Sequence, residues 1–487
     1  MIPIVTPTEM AAIDATAPES VEVLVGRAGA AVAIAARQMM GGTYGRRVLV
    51  AAGTGNNGAD GRVAADVLTR WGARCRVATP SEALDLVLAD TPTPAAATWD
   101  LVIDAAYGTG LRGAWGAVRP PAAAVLAVDL PSGVDAVTGF DHGCWPAAAT
   151  VTFGALKPGL LLHPGAALAG DVQLAPIGLD TGTATSWLVT DADARAVLPV
   201  AEPTAHKWRR AVRVIAGSPQ MRGAGHLVCA AAQQAGGGMV VISSPGLRAA
   251  EVARPAEAVA RDLPAGDWSG PALSGIERFG AAVIGPGIGA DPSASSQMAR
   301  FIAECPVPLV IDADALSALA DCPECLSVRT APTVLTPHDG EFAKLTGKPP
   351  AADRFETVRQ AASGLGAVVL LKGPTTLVAA PQSTQAASTP ARSAGVLAVT
   401  SGTPRLATAG SGDVLAGVLA AVLAGGATSP DLVPARSAAA AHWHGRTATF
   451  GDDSSAFAQS PLTAMRQVER LGQVRAELAA AAAAKVT

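Results

Sequence analysis

Short apolar runs alternate with alanine-rich stretches of helical length along almost the whole chain. That alternation is the mark of βαβ units, in which parallel strands are joined by helices that cover the sheet. Arg47–Ala51, Arg74–Ala78, Leu101–Asp104, Val125–Asp129 and Ala149–Phe153 read as strands in the first half. Val212–Ala216, Met239–Ser243, Ala281–Gly285, Pro308–Asp312 and Ala367–Leu371 read the same way in the second. The side chains suit this packing: 49% of the 487 residues are hydrophobic but only 4% are aromatic, so the apolar mass is mostly small and smooth. Between the halves, 179–186 and 198–204 are rich in turn and loop residues, which places a boundary somewhere from 180 to 205. The expected architecture is two α/β domains in tandem. Three strands end in an acid (Asp104, Asp129 and Asp312), and open parallel sheets bind ligands just outside their carboxyl ends.

Several classes of function are excluded early. A formal net charge of −4 leaves no excess of lysine and arginine to displace phosphate counterions, so a general nucleic-acid binder is not expected. The start, Met1–Glu9, has neither the basic residues nor the long apolar stretch of a signal peptide. The most membrane-like segment, Val414–Pro430, is uncharged but just short of a span and reads as a buried helix, so no membrane partner is expected. Six cysteines in so long a chain do not form a disulfide framework, which points to the reducing cytoplasm. Cys322 and Cys325 form a lone CxxC in loop sequence, with no second pair to complete a zinc site.

The first chemical constellation is Gly53–Gly61, which follows a strand and leads into a helix expected over Arg62–Arg70. It fits G-x-G-x-x-G, but the next strand runs into Thr79–Ser81 rather than the acid a dinucleotide site requires. A plain glycine turn would leave Asn56, Asn57 and Asp60 unexplained. Asp104 with the glycine loop 108–113, and Asp129 with Ser132, repeat the pattern at two further strand ends. Neighbouring strand ends would bring Asn57, Asp104 and Ser132 together. Amide oxygen, carboxylate and hydroxyl are hard ligands with one charge among them, suited to a hard monovalent cation. Each aspartate alone is equally well read as bracing a turn.

The second constellation is Gly402–Gly417, where a glycine-rich turn runs into a long apolar helix. Bare backbone amides at a helix start bind anions, and the helix dipole favours an ionised Asp413 there. Lys372–Thr376 ends a strand with a cation and hydroxyls; Pro337–Phe342 and Gly285–Gly289 offer further polar and glycine loops. His442 and His444 stand at i, i+2 on a helix and do not share a face, so a helix-surface or packing role is preferred to metal ligation.

The first half resembles the epimerase domain of the NAD(P)H-hydrate repair family, through 21–30, the Asn56–Gly61 loop, 104–113, 129–139, 150–153 and 157–159. By that resemblance, Asn56, Asn57, Gly58, Ala59 and Asp60, together with Gly108, Thr109, Gly110, Leu111, Arg112, Gly113 and Ala114, hold the hydrated nucleotide. Asn57, Asp104 and Ser132 would bind potassium, and Asp129 would touch substrate as the acid/base group. Ala59 departs from the family, which usually has glycine there. The second half resembles the ADP-dependent NAD(P)H-hydrate dehydratase, a ribokinase-like protein, from His206 to the Gly410–Asp413 turn. Carried over by motif, Ala224, Gly287, His338 and Asp413 contact the hydrate, while Lys372, Gly373, Pro374, Thr375, Thr376 and Gly412 hold the adenine nucleotide. Trp208–Arg210 and Gly402–Arg405 are looser than the family pattern.

The resemblance implies a Rossmann-like three-layer α/β epimerase domain over 1–185 and a ribokinase-like α/β dehydratase domain over 186–487. Its substrates would be NADHX and NADPHX, the hydrates formed by water addition at C6 of the nicotinamide ring. ADP would be spent to AMP and phosphate with magnesium, Asp413 acting as base, and the chain would self-associate. Two rivals are a sugar or vitamin kinase of ribokinase type, and a noncatalytic nucleotide-binding module at the N-terminus.

Overall fold

The structure, a computed structural model, describes residues 1–90, 98–110, 115, 119–200, 203–381, 395–425, 429–451 and 462–480. It divides into two units, one spanning Ile2–Thr185 and the other Ser186–Thr487.

In the N-terminal unit, Val48, Val50 and Ala52 face one core and Leu49 and Ala51 the other. A strand apolar on both faces must be covered on both, as parallel sheets are. The strands run in spatial order Arg74–Ala78, Arg47–Ala52, Leu101–Ala105, Val125–Val128, Ala149–Phe153, Asp171–Ala175. All five pairings are parallel. One face is covered by the helix Val21–Met40, which buries Ala28, Val32, Ala33 and Ala36 against Ala64 and Leu68 of the helix Asn56–Arg70. Val21–Met40 is also the one helix among the described residues long and apolar enough, by length and composition, to cross a membrane. Its small-residue stripe is spent on this core instead.

The helix expected from Arg62 starts at Asn56. Asn56, Asn57, Ala59 and Asp60 therefore stand on helical turns rather than in a loop. The cause is Gly58, where a Cβ would lie 1.9 Å from the Gly53 carbonyl oxygen, so the chain winds tightly against its own strand end. Asn-Asn-Gly reads as a turn in sequence, but the close approach makes it a first helical turn.

The C-terminal unit has one mixed sheet in the order Ser186–Leu188, Val396–Val399, Thr376–Ala379, Val368–Leu371, Thr333–Leu335, Leu309–Ile311, Ala281–Ile284, Ala211–Ile215, Met239–Ser243, Val259–Ala260. Pairing is parallel except around Thr376–Ala379, which is antiparallel to both neighbours. The apolar helix that was expected over Val414–Pro430 begins at Ser411 and ends at Leu423, buried against the helices Arg222–Gln234 and Val433–Arg446 and the strands Ala281–Ile284 and Leu309–Ile311. Contrary to a surface role, His442 and His444 are both buried on Val433–Arg446. Cys322 and Cys325 are joined as a disulfide, while Cys75, Cys144, Cys229 and Cys305 are free.

Candidate functional site

In the N-terminal unit, the register sets Asp104 beside Ala51 and Ala127, so three strand ends reach one level. Asp104 is fully buried: its Oδ1 accepts the Ser132 hydroxyl at 2.6 Å and its Oδ2 accepts the Ser132 amide at 2.8 Å. Burial nevertheless pushes its pKa up to about 6, against those hydrogen bonds. Ser132 Oγ also accepts the Tyr107 amide at 2.8 Å, which fixes the loop leading to Gly108. Across that loop sits Asn57, whose Oδ1 is 3.5 Å from a Cβ built on Gly108. Both polar atoms of the Asn57 carboxamide are buried without a hydrogen-bond partner. An orphaned amide oxygen across the Gly108 loop from a buried carboxylate–hydroxyl pair supplies the kinds of oxygen donor a monovalent cation takes. The residues present fit that group.

Asp129 follows the strand Val125–Val128 with φ +66°, a backbone setting rare outside glycine and common where a side chain must be presented. Its Oδ1 accepts Lys157 Nζ at 2.5 Å and Thr152 Oγ1 at 3.0 Å. Lys157 is 1% exposed and also donates to Thr152 Oγ1 and the Phe153 carbonyl. Asp60 is buried nearby, and burial together with the Asp129 charge pushes its pKa up to about 8. Asn57, Asp60, Gly108, Thr109, Asp129 and Lys157 line one cavity of about 450 Å³. Asn56 and Gly110 line it too, but neither Gly58 nor Ala59 does. Gly58 is held by packing, and the methyl of Ala59 does not narrow the cavity. Leu111, Arg112, Gly113 and Ala114 lie outside the described residues. Sequence reasoning missed Lys157 as the partner of Asp129, although 157–159 belongs to the family resemblance and a lysine between Leu156 and Pro158 stands out in an apolar stretch.

In the C-terminal unit, Gly410 caps the helix Ser411–Leu423 with φ +87°, and Asp413 falls in its first turn. The Gly412 and Asp413 amides take no backbone acceptor among the described residues. A Cβ on Gly412 would lie 3.8 Å from both Asp312 Oδ2 and Lys372 Nζ. Lys372 Nζ donates to Asp312 Oδ1 at 2.9 Å and stands 3.5 Å from Glu341. Burial alone would lower the Lys372 pKa, but these two carboxylates outweigh it and raise it. The Asp413 pKa is raised to about 6 by burial and by Asp312, with Lys372 opposing.

His338 is exposed; its Nδ1 accepts the Gly340 and Glu341 amides and caps the helix Asp339–Thr346. Ala224 and Gly287 are brought together, since a Cβ on Gly287 would sit 2.8 Å from the Ala224 methyl. Gly373 and Pro374 are exposed on the turn after Lys372, with Thr375 buried behind them and Thr376 opening the antiparallel strand. Asp312 and Glu341 were not assigned roles from sequence, although Asp312 was legible as a strand-ending acid. Among the described residues no three His, Cys, Asp or Glu side chains converge as a metal site.

Fold and sites together define a two-centre α/β enzyme. Residues 21–159 match the family described as YjeF-related protein N-terminus, and residues 212–469 match NAD(P)H-hydrate dehydratase. The chain is 39% identical over 412 residues to the bifunctional NAD(P)H-hydrate repair enzyme Nnr of Mycobacterium tuberculosis, covering 80% of this chain and 81% of that one. It is 35% identical over 471 residues to the enzyme of the same name from Moorella thermoacetica, covering 86% and 85%. The solved ADP/ATP-dependent NAD(P)H-hydrate dehydratase of Bacillus subtilis, co-crystallised with ATP and magnesium, aligns with a TM-score of 0.47 at 25% identity, over 59% of this chain and 97% of that one. The chain belongs to the bifunctional NAD(P)H-hydrate repair enzymes.

Proposed function

We propose that Ile2–Thr185 interconverts the R and S hydrates of NADH and NADPH, and that Ser186–Thr487 dehydrates the S form at the expense of ADP, giving AMP and phosphate. The observation that carries the second step is the placement of Asp413. It is a buried carboxylate with a raised pKa, beside free helix-start amides and the Asp312–Lys372 pair. A base with a pKa near working pH both holds its ionised form and accepts a proton well. Asp413 would take the proton of the C6 hydroxyl as that oxygen attacks the terminal phosphoryl group. The Gly412 and Asp413 amides and Lys372 would hold the charge that develops on the phosphoryl oxygens. Loss of phosphate from C6, with departure of a proton from C5, then restores the C5–C6 double bond of the reduced nicotinamide.

Ala224, Gly287 and His338 would line the hydrate side, and Lys372–Thr376 with Gly412 the nucleotide side. Magnesium would neutralise phosphate charge, held mainly by the nucleotide phosphates with one or two carboxylates of the chain.

In the N-terminal unit, Asp129, held by Lys157 and Thr152 at the cavity wall, would move the proton from the C6 hydroxyl to N1 as the C6–N1 bond opens to an aldehyde, and back to the oxygen as N1 recloses on the other face. Potassium, held by Asn57, Asp104 and Ser132, would supply a fixed positive charge near the substrate phosphate. Leu111–Ala114 are carried into this reading from the sequence alone. A cytoplasmic location and self-association complete the proposal.

Incubating an R,S hydrate mixture with ADP and magnesium, and following recovery of absorbance by the reduced cofactor, tests it. Full recovery is expected with both units active. A stable phosphorylated product in place of recovery, seen by mass spectrometry, would make the C-terminal unit a kinase.

A further inference from the structure

The glycine turn that leads the Ser411–Leu423 helix has a single side chain to anchor it. Gly410 at φ +87° precedes Ser411 and Gly412 follows it, so the backbone on either side is unusually free. Ser411 is 7% exposed, and its amide donates back to the Thr408 carbonyl at 3.2 Å. Its hydroxyl donates to Gln467 Oε1 at 3.0 Å. His444 Nε2 stands 3.0 Å from the same Gln467 oxygen and 3.3 Å from Ser411 Oγ. Gln467 is fully buried on the helix Ala464–Ala480 and His444 is buried on Val433–Arg446.

Three helices thus meet in one polar knot at the helix start, inside packing that is otherwise apolar. With Gln467 Oε1 as the shared acceptor, His444 donates through Nε2. Burial pushes the His444 pKa down to about 4, so the ring adds no charge beside Lys372. Gln467 Nε2 is buried and unpartnered, so the knot is held through the Oε1 acceptor alone.

We propose that His444, seated on Gln467, is a positioning residue that holds Ser411 and so fixes the Gly410–Asp413 turn in the shape that receives a nucleotide phosphate. The inference rests on the reading of this unit as a nucleotide-dependent dehydratase. On this reading His444 touches neither substrate; it acts through Ser411, so its loss loosens the phosphate-binding amides and Asp413 together and shows in nucleotide affinity as well as in the chemical step.

The test uses the full chain, with ADP binding measured by calorimetry and dehydration of S-hydrate by steady-state kinetics. His444→Phe, which fills the space but donates nothing, should weaken ADP binding about tenfold by calorimetry, with KM for ADP raised and kcat lowered because the same turn carries Asp413. His444→Gln, which keeps a donor, should recover most of the affinity. Ser411→Ala should show the same loss, and His444→Phe added to Ser411→Ala should cost nothing further. Unchanged ADP affinity in His444→Phe with only a lower Tm overturns the inference. So do losses that multiply in the double variant. Should His444→Phe not fold, Ser411→Ala with unaltered ADP affinity overturns it alone. Wild-type protein that binds ADP without dehydrating removes the proposed reaction but leaves the binding cycle decisive. Wild-type protein that binds no ADP overturns both.

Discussion

The two units solve one problem in opposite ways. Each sets an aspartate at the carboxyl end of a parallel sheet, but the N-terminal unit ties Asp129 directly to Lys157 at 2.5 Å. The C-terminal unit gives its lysine to a different acid, Asp312, and leaves Asp413 raised to about 6 by burial and like charge. On the proposed reading both acids handle a proton: Asp129 is oriented for it by a paired lysine, whereas Asp413 is fitted for it by burial and like charge that raise its affinity for the proton. The difference teaches that placement at a strand end marks a candidate, while the neighbours decide its work.

The sharpest way to break this comparison is Asp413→Asn. Nucleotide-dependent dehydration should fall by about 10²–10⁴-fold with epimerisation intact. The wild-type dehydration rate should also decline as pH drops through about 6, because protonated Asp413 cannot act as base. Near-normal dehydration by the variant would reduce Asp413 to a helix-start residue.

Asp129→Ala is the mirror experiment, expected to stop R-to-S conversion while dehydration of pure S-hydrate proceeds unchanged. Parallel loss of both activities in a folded protein would dissolve the division of labour.

Asp104→Asn keeps most hydrogen bonds to Ser132 but removes the charge a cation needs. Potassium affinity should drop roughly tenfold or more, and hydrate binding with it, at little cost in Tm. Crystals grown with rubidium or thallium give the direct check, since no anomalous peak among Asn57, Asp104 and Ser132 would retire the ion.

The smallest effect is on stability. The Asp60 pKa is raised from 3.8 to about 8, so the folded state holds the proton more tightly than the unfolded one. Below about 4 both states are protonated and nothing is lost; as pH rises towards 8 stability falls. Asp60→Asn should therefore raise Tm by roughly a few degrees at neutral pH, with the gain vanishing in acid. Scanning calorimetry across pH would show a constant difference if burial of Asp60 carries no such cost.

What the sequence made legible follows from what each signal measures. Central parallel strands such as Leu101–Ala105 and Leu309–Ile311 are apolar on both faces and announce themselves, together with the acids that end them. Asp171–Ala175 escaped notice because it is a half-buried edge strand whose Asp171 and Gln173 interrupt the apolar run, and Thr333–Leu335 and Thr376–Ala379 because each opens on a threonine that shortens its own. Asn57, Asp104 and Ser132 could be grouped because their strands are neighbours. The Lys157–Asp129 pair could not, since nothing local in either segment points to the other. His444 failed differently: spacing on one helix says which residues share a face, but not which second helix supplies Gln467.

The antiparallel strand Thr376–Ala379 has its own consequence for how such an enzyme diverges. It makes Lys372–Thr375 the tip of a hairpin, closed between Leu371 and Leu377, rather than a link from strand to helix. On the proposed reading, most residues for the adenine nucleotide sit on that one short, locally folding segment, whereas Ala224 on the helix Arg222–Gln234, Gly287 after a strand and His338 at a helix start come from three separate stretches of chain. Choice of phosphoryl donor is thereby a modular trait, exchangeable by grafting a single hairpin tip, and recognition of the damaged cofactor is a distributed one that drifts only as the whole sheet drifts.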